Sequence, residues 1–386
     1  MHPSYLRHFH ASQLFHAIRV NGALSQRALV DATGIDRSTV SLIVNRLEEV
    51  GLIERMPAPA DGRRGRPTEL LKISELSGLL VGIHLEFETM RVVAAKPDGK
   101  PFAYEEAPLP KDPDTFADLA WECVNRLCSR IGKPMTEVRA VGVALPGLVG
   151  HGSLEQSSNL SWGRIAIADL LRKKLGAPVF VDNDANCSTL AEHLFGKCAA
   201  HSDFIMLDGG KGIGGGLFLD GRLYRGARGF AGELGHMVVQ PGGRPCGCGR
   251  SGCLTAYLSG TALIERARRP TGVKSLAEFL TAAANGDEKI LYILEEAGQF
   301  LGFALSTLIS TFNPPAIALG GVLARIWPYV EPAVRRTLDN NSMVWNLAPV
   351  EIFASALSND HVPWGGVALA LEGFTSHDPT SDTAPW

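Results

Sequence analysis

The sequence predicts an α/β protein in separate parts: an N-terminal winged helix-turn-helix (residues 1–75), a body of two α/β lobes (76–374, divided at about 76–184 and 185–361) and a polar tail (375–386). Three observations carry this. The chain has 386 residues, more than one hydrophobic core usually serves. Its charge is unevenly spread: residues 1–73 hold 10 Lys+Arg against 7 Asp+Glu, and the remainder 27 against 33. A basic head therefore precedes an acidic body, and only the head is suited to a polyanion. Beyond residue 78, apolar strand-like runs alternate with amphipathic helical stretches in two similar rounds.

Composition removes other classes. Apolar residues at 45% and charged residues at 20% suit a folded soluble chain. The 42 Gly and 23 Pro show no triplet period, which excludes a collagen-like reading. No uncharged apolar run is long enough to span a membrane. The first residues carry Arg7, Arg19 and four histidines without an apolar core, unlike a signal peptide, so a cytoplasmic protein is expected. Seven cysteines, an odd number with three at 246, 248 and 253, suit a reduced compartment and a metal better than a disulfide framework.

In the head, Leu14, Phe15 and Ile18 share one helical face, and Ser25 is placed to cap a second helix. Thr33-Gly34-Ile35-Asp36 reads as a tight turn, with Asp36 capping a third helix that Gly51 ends. Val40, Ile43, Val44 and Leu47 form the apolar stripe of that helix. Arg37, Ser38, Thr39, Ser41 and Asn45 lie off the stripe and bring no carboxylate. Such a face approaches phosphates and base edges without repulsion, as a recognition helix in a major groove must. Leu52 to Arg55 and Leu70 to Ile73 read as a hairpin whose tip, Arg63, Arg64 and Arg66 among Gly and Pro, is thin enough for a minor groove. Double-stranded DNA is thus the expected partner of the head.

In the body, Gly78 to His84, Met90 to Ala95 and Pro101 to Ala107 read as a strand meander. A helix over Phe116–Ile131 and a strand over Val138–Leu145 follow. The second round runs through strand Pro178–Asp182, helix Ala185–Phe195 and strands Phe204–Leu207 and Gly215–Leu219, and a last helix is expected over Val362–Phe374.

Three constellations carry chemistry. Asn183 and Asp184 stand where a strand becomes a helix and offer acceptors and donors to sugar hydroxyls. An Asp capping a helix would explain that position as well, and the residues alone leave both readings open. Gly229, Gly232 and Gly235 bring the backbone close to something while delivering Glu233 and His236 together, and a glycine turn with a paired Glu remains the plainer alternative. Cys246, Cys248 and Cys253 follow His236 in a segment with little apolar material. Three thiolates and an imidazole make a closed tetrahedral shell, so a structural Zn²⁺ is expected.

Together these residues resemble the ROK family (repressors, open reading frames and sugar kinases), over nearly the whole chain. The resemblance rests on Leu145-Pro146-Gly147, Asn159-Leu160-Ser161-Trp162, Asn183-Asp184-Ala185-Asn186, Gly212-Ile213-Gly214-Gly215-Gly216, Ala231 to His236 and the three cysteines. It implies an actin-like (ribonuclease H-like) ATPase-type body with a sugar between its lobes, contacted by Asn159, Asn183, Asp184, Glu233 and His236, the last also a zinc ligand. The winged head places the chain with the repressor branch.

The departures from the kinase pattern are specific. Where ROK kinases carry Asp-x-Gly-Gly-Thr, this chain has His84-Leu85-Glu86-Phe87-Glu88, so the backbone N–H cradle for ATP phosphates is missing and two carboxylates add repulsion. Lys211 replaces a threonine, and Thr255 stands where the family commonly has a sugar-binding glutamate, which leaves the sugar unnamed. Asp184, the base in the kinases, would then be vestigial. The expected protein is a sugar-responsive transcriptional regulator, a repressor acting as a homodimer or homotetramer. An ATP-dependent sugar kinase with a DNA-binding head, or a constitutive DNA-binding protein, are the alternatives.

Overall fold

The computed structural model describes residues 3–58, 69–86, 88–157, 160, 162–359 and 363–375. Of the residues singled out above, Arg63, Arg64, Arg66, Phe87, Asn159, Ser161 and the tail beyond Thr375 lie outside that set.

The head contains helices α1 (Pro3–Asn21), α2 (Gln26–Thr33) and α3 (Arg37–Glu49), then strands β1 (Ile53–Pro57) and β2 (Glu69–Ile73). Its boundaries follow the expected chemistry. Ser25 caps α2 by accepting from the Ala28 N–H, and Gly34 ends it at φ 70, a left-handed conformation costly for other residues. Asp36 caps α3 by accepting from the Ser38 and Thr39 N–H groups at 3.0 Å. The strands pair antiparallel, Ile53 opposite Ile73. Leu71 also exchanges backbone hydrogen bonds with Leu24 at 3.0 and 2.7 Å, tying the hairpin to the segment between α1 and α2. Leu14, Phe15, Ile18, Leu29, Val40, Val44 and Leu47 fill the core between the helices.

The body begins with β3 (Leu79–Leu85), β4 (Thr89–Ala95), β5 (Pro101–Pro108), α4 (Pro113–Arg130), β6 (Val138–Leu145), β7 (Leu148–Gly150), β8 (Ser153–Gln156), α5 (Ile167–Leu175) and β9 (Val179–Asn183). It continues with α6 (Asp184–Phe195), β10 (Phe204–Gly209), β11 (Ile213–Leu219), β12 (Arg222–Leu223), α7 (Thr255–Leu258), α8 (Gly260–Thr271), α9 (Leu276–Ala284) and α10 (Glu288–Phe312). β13 (Ala316–Gly320), α11 (Gly321–Asn341), α12 (Met343–Leu347), β14 (Glu351–Ala354) and α13 (Trp364–Phe374) complete it. Helix α4 starts three residues before the expected Phe116. Asp112 caps it through the Thr115 N–H at 2.8 Å, and Pro113 is pre-organised for its first turn.

The chain forms two compact units that do not follow sequence order: residues 1–143, 168–180 and 366–386, and residues 144–167 and 181–365. The first contains the head and most of a five-stranded sheet ordered β5-β4-β3-β6-β9. Helix α13 lies directly on this sheet because Gly82 and Gly142 have no side chain: a Cβ on Gly82 would stand 2.7 Å from the Val367 nitrogen, and one on Gly142 would strike the Gly366 carbonyl. The far end of α13 meets the head. The Phe15 ring meets Phe374 edge-on with centroids 6.5 Å apart. Arg19 Nε donates to His16 Nδ1 at 3.2 Å, so the imidazole proton sits on Nε2, 3.0 Å from Thr375 Oγ1, which in turn donates to the Leu371 carbonyl at 2.7 Å. Burial at this contact lowers the Arg19 pKa to about 10.

The second unit repeats the strand order as β12-β11-β10-β13-β14, with β11 and β12 antiparallel and β13 and β14 parallel. Helices α10 and α11 pack closely through Gly298 and Gly302, where a Cβ would stand 2.6 Å from Ala333 Cβ and 2.5 Å from Thr337 Cβ. This helical layer is absent from the sequence reading. Pro328 and Pro332 punctuate α11 and look like breakers, yet the helix runs through both. No described helix is long and apolar enough to cross a membrane.

Candidate functional site

The site in the second unit is built where β9 passes into α6. Asn183 is the helix cap: its Oδ1 accepts from the Ala185 N–H at 2.9 Å and its Nδ2 donates to the Gly147 carbonyl at 2.8 Å. The amide thus braces the junction with one bond on each side, and the carboxylate that stands beyond the cap is Asp184. Beneath them Asp182 is buried and accepts from the Asn183 N–H (2.8 Å), Asn186 Nδ2 (2.8 Å) and Arg225 Nε (2.7 Å). Arg225 also accepts the Ala231 N–H through its carbonyl at 3.1 Å, so this ion pair joins α6 to the glycine-rich loop. Neither Asp182 nor Arg225 was singled out from the sequence. An Asp closing the apolar run Val179-Phe180-Val181 is the signal that could have found Asp182.

The glycine loop comes close because side chains do not fit. Gly229 (φ 87) and Gly232 (φ 95) would bring a Cβ to 2.8 Å from the Val149 carbonyl and 2.5 Å from the Gly215 carbonyl, and one on Gly235 would strike the Ile213 carbonyl. The loop thus lies against β7 and β11 and presents Glu233 and His236. Their side chains approach to 3.8 Å, His236 Nε2 to Glu233 Oε2. Burial raises the pKa of Glu233. Burial, then the negative charges of Asp208 and Glu233, push Asp184 up to about 7.

The other face of the His236 ring meets the cysteines. Nδ1 is 3.6 Å from Cys246 Sγ, Cys248 Sγ is 3.8 Å from Cys253 Sγ, and the four candidate ligand atoms all lie within 4.8 Å of one another. A tetrahedral zinc with Zn–S near 2.3 Å sets its sulfurs about 3.8 Å apart, so the spacing fits. The chain reaches this shape through a turn in which the Cys246 N–H bonds the Arg250 carbonyl and the Gly249 N–H bonds the Cys246 carbonyl, at 2.8 and 3.0 Å. A metal on Nδ1 leaves the proton on Nε2, directed to the side where Glu233 stands.

On α3, Arg37, Ser38 and Asn45 are exposed, while Thr39 and Ser41 are half-buried. The Ser38 hydroxyl is donated to Asp36, which also binds backbone, and these bonds hold the Asp36 carboxyl well below the usual range. Leu42, 62% exposed on the same face, was missed by the sequence reading, which sorted apolar residues to the core. At the turn after β3, Glu86 pairs with Arg91 at 2.6 Å, and Arg91 also binds Glu106 at 2.8 Å. The unbalanced negative charge expected of Glu86 is therefore offset. Lys211 is exposed, and Thr255 Oγ1 accepts from the Ile213 N–H at 3.3 Å.

Comparison with known proteins agrees with this arrangement. Residues 81–372 match the ROK family and residues 8–64 the MarR family. A xylose repressor of Bacillus spizizenii is 26% identical over 373 residues, covering 96% of this chain and 97% of that protein. A glucokinase of Streptomyces coelicolor is 28% identical over 316 residues, covering 76% of this chain and 98% of the enzyme. A crystal structure of a ROK family transcriptional regulator, a homologue of the E. coli MLC protein, superposes with a TM-score of 0.83 at 23% identity, over 95% of this chain and 96% of that one. The repressor thus matches head and body, the kinase the body without the head. The doubled sheet order, the glycine loop beside the cysteine cluster and the winged head all point the same way: the chain belongs to the ROK family, with a MarR-type winged helix ahead of an actin-like ROK body.

Proposed function

We propose that the protein is a sugar-responsive transcriptional regulator, a repressor of carbohydrate-use genes, whose head (residues 1–75) binds operator DNA and whose body (76–374) binds a small sugar. The observation that carries the reading is the presence, in one chain, of an exposed polar helix face bearing Arg37, Ser38 and Asn45 in the head and of Asp184, Glu233 and His236 gathered in the body. Arg37 and Asn45 read base edges, Ser38, Thr39 and Ser41 meet phosphates or bases, Leu42 meets an apolar base edge such as a thymine methyl, and the wing arginines Arg63, Arg64 and Arg66 follow the minor groove. Asn159, Asn183, Asp184, Glu233 and His236 hold the sugar, and His236, Cys246, Cys248 and Cys253 hold a structural zinc.

The body does no phosphoryl transfer in this reading. The residues 84–88 provide no glycine cradle for a phosphoryl donor, and a base without a donor has nothing to move. Two chains, as a homodimer or within a homotetramer, engage two half-sites, and sugar binding favours a state of the body in which the heads no longer fit both. Moving occupancy from 99:1 to 1:99 takes a preference of about 5.5 kcal/mol, which two sites in a dimer share. A second reading, an ATP-dependent sugar kinase, draws on Asp184, whose raised pKa suits a general base.

The test is fluorescence anisotropy of the full chain on its own upstream DNA at fixed salt, titrated with free and phosphorylated sugars. Release of DNA by a sugar is expected; ADP formation from ATP with any sugar would move the assignment to the kinase. Arg37→Ala and Asn45→Ala are expected to weaken operator binding about 10- to 100-fold while leaving sugar binding unchanged. Wild-type operator affinity in both variants would remove α3 from the DNA interface.

A further inference from the structure

The recognition helix carries a carboxylate on the face assigned to DNA. Ser41, Asn45 and Glu48 follow one another on α3 at i, i+4 and i+7, so they share one side of the helix, with Glu48 in its last turn. An unpaired carboxylate there would repel phosphates. Arg55 of β1 grips it side-on, with Nε donating to Glu48 Oε1 at 2.8 Å and Nη2 to Oε2 at 2.9 Å. Its Nη1 donates to Glu69 Oε2 at 3.1 Å. All three guanidinium nitrogens are thus committed to carboxylates from two elements, the end of α3 and the first residue of β2.

The strand register explains this reach. Arg55 lies opposite Leu71 and Glu69 opposite Pro57, which makes Arg55 and Glu69 diagonal neighbours on one face of the hairpin. The near end of the hairpin is fixed to α3 by backbone: the Gly51 N–H donates to the Glu48 carbonyl and the Leu52 N–H to the Leu47 carbonyl, both at 2.9 Å, around Gly51 at φ 72. Farther along, Arg55 ties both strands to the same helix. The ion pair on the other face, Lys72 Nζ to Glu54 Oε1 at 2.9 Å, joins the two strands to each other and so stiffens the hairpin without aiming it. The chain between the strands includes Arg63, Arg64 and Arg66. The angle between hairpin and α3 sets where that chain leaves β1 and returns to β2.

We propose that Arg55 is a positioning residue of the DNA-binding head: by holding Glu48 and Glu69 together it fixes the angle between the recognition helix and the wing hairpin, and with it the head's preference for one DNA sequence. This inference rests on the DNA reading above. Ion pairs this exposed add little to stability, whereas a bidentate fork adds direction. Lysine carries the same charge without the fork, so only arginine holds both carboxylates in a set geometry. Arg55 makes no phosphate contact of its own in this arrangement. Its effect is to keep the groups on α3 and those on the hairpin in register with their grooves. Without the clamp the cations of the head remain, so DNA of any sequence is still held, and the operator loses its advantage.

The experiment measures sequence preference by fluorescence anisotropy of the full chain at fixed salt. The preference is the ratio of affinities for the duplex that the wild type selects from a random pool and for an unrelated duplex of the same length. It is measured for the wild type, for Arg55→Lys, which keeps the charge and loses the fork, and for Glu48→Gln, which removes a negative charge from α3. The ratio is expected to fall about tenfold in both variants, with melting temperatures close to that of the wild type. Glu48→Gln is expected to bind the unrelated duplex more tightly, as the change in charge requires, and the selected duplex more weakly. A wild-type ratio in both folded variants would overturn the inference and leave the DNA reading standing. Tighter binding of both duplexes by the same factor in Glu48→Gln would also overturn it, because the carboxylate would then act through its charge alone. If the wild type selects no duplex, the DNA reading falls and takes the inference with it.

Discussion

Removing the proposed zinc is expected to disable the body. The purified protein should carry one zinc per chain, and a chelator or Cys248→Ser should lower its melting temperature by about 10 °C or more and abolish the sugar response. The size follows from how little else shapes the segment. Val238 is 53% exposed, and most residues from 241 to 251 are exposed, so few apolar contacts are available to replace the metal. Cys253 is the buried member and anchors the cluster through its backbone bridge to Val238. The loss is expected to reach the sugar because His236 is proposed for both sets: its Nδ1 faces Cys246 and its Nε2 faces Glu233. Without a metal the ring is free to change tautomer and orientation, and Glu233 loses a fixed neighbour. Metal analysis and melting with and without chelator decide the matter. A zinc-free preparation that melts normally and still responds to sugar would overturn it.

Replacing Asp184 by Asn is expected to abolish the sugar response, spare DNA binding and change how stability depends on pH. The wild-type carboxyl has its pKa raised from 3.8 to about 7. Between those values the folded protein retains a proton that the unfolded chain has lost, so stability falls as pH rises through this window and stays low above it. Asn carries no such proton. The gain in stability of the variant over the wild type should therefore be small near pH 4 and grow to a plateau above pH 7, at most about 4 kcal/mol for a shift of roughly three units. Melting of both proteins at pH 5 and pH 8 reads the difference. An advantage that does not grow with pH would show that Asp184 is not held in its protonated form.

Much of this site was legible because its chemistry is local. The cluster of three cysteines and His236 depends on four residues within a short stretch, and glycines at 229, 232 and 235 announce a close backbone approach that the structure contains. The caps Ser25 and Asp36 were readable for the same reason, since each acts on its own next turn. What escaped was non-local or ambiguous. Asp182 and Arg225 are 43 residues apart, and no pattern in either segment announces their pairing. Asp208 resembles any residue entering a turn until Ser188 is seen beside it. The contact of the Asn183 amide with the Gly147 carbonyl, 36 residues away, likewise has no local signal. The helices from α8 to α12 went unread because their prolines and glycines suggest breaks, whereas packing across the α10–α11 pair requires those glycines.

The contact between α1 and the end of α13 bears on synthesis. His16 and Thr375 are 359 residues apart, so a ribosome adding about 5–20 residues per second needs tens of seconds to supply the second after the first. During that interval the head has its own core of Leu14, Phe15, Val40 and Leu47, but Phe15 and His16 lack Phe374 and Thr375. A nascent chain therefore carries a head that is folded yet unanchored. Its anchoring on α13, within the same unit, therefore reports that translation has passed Thr375.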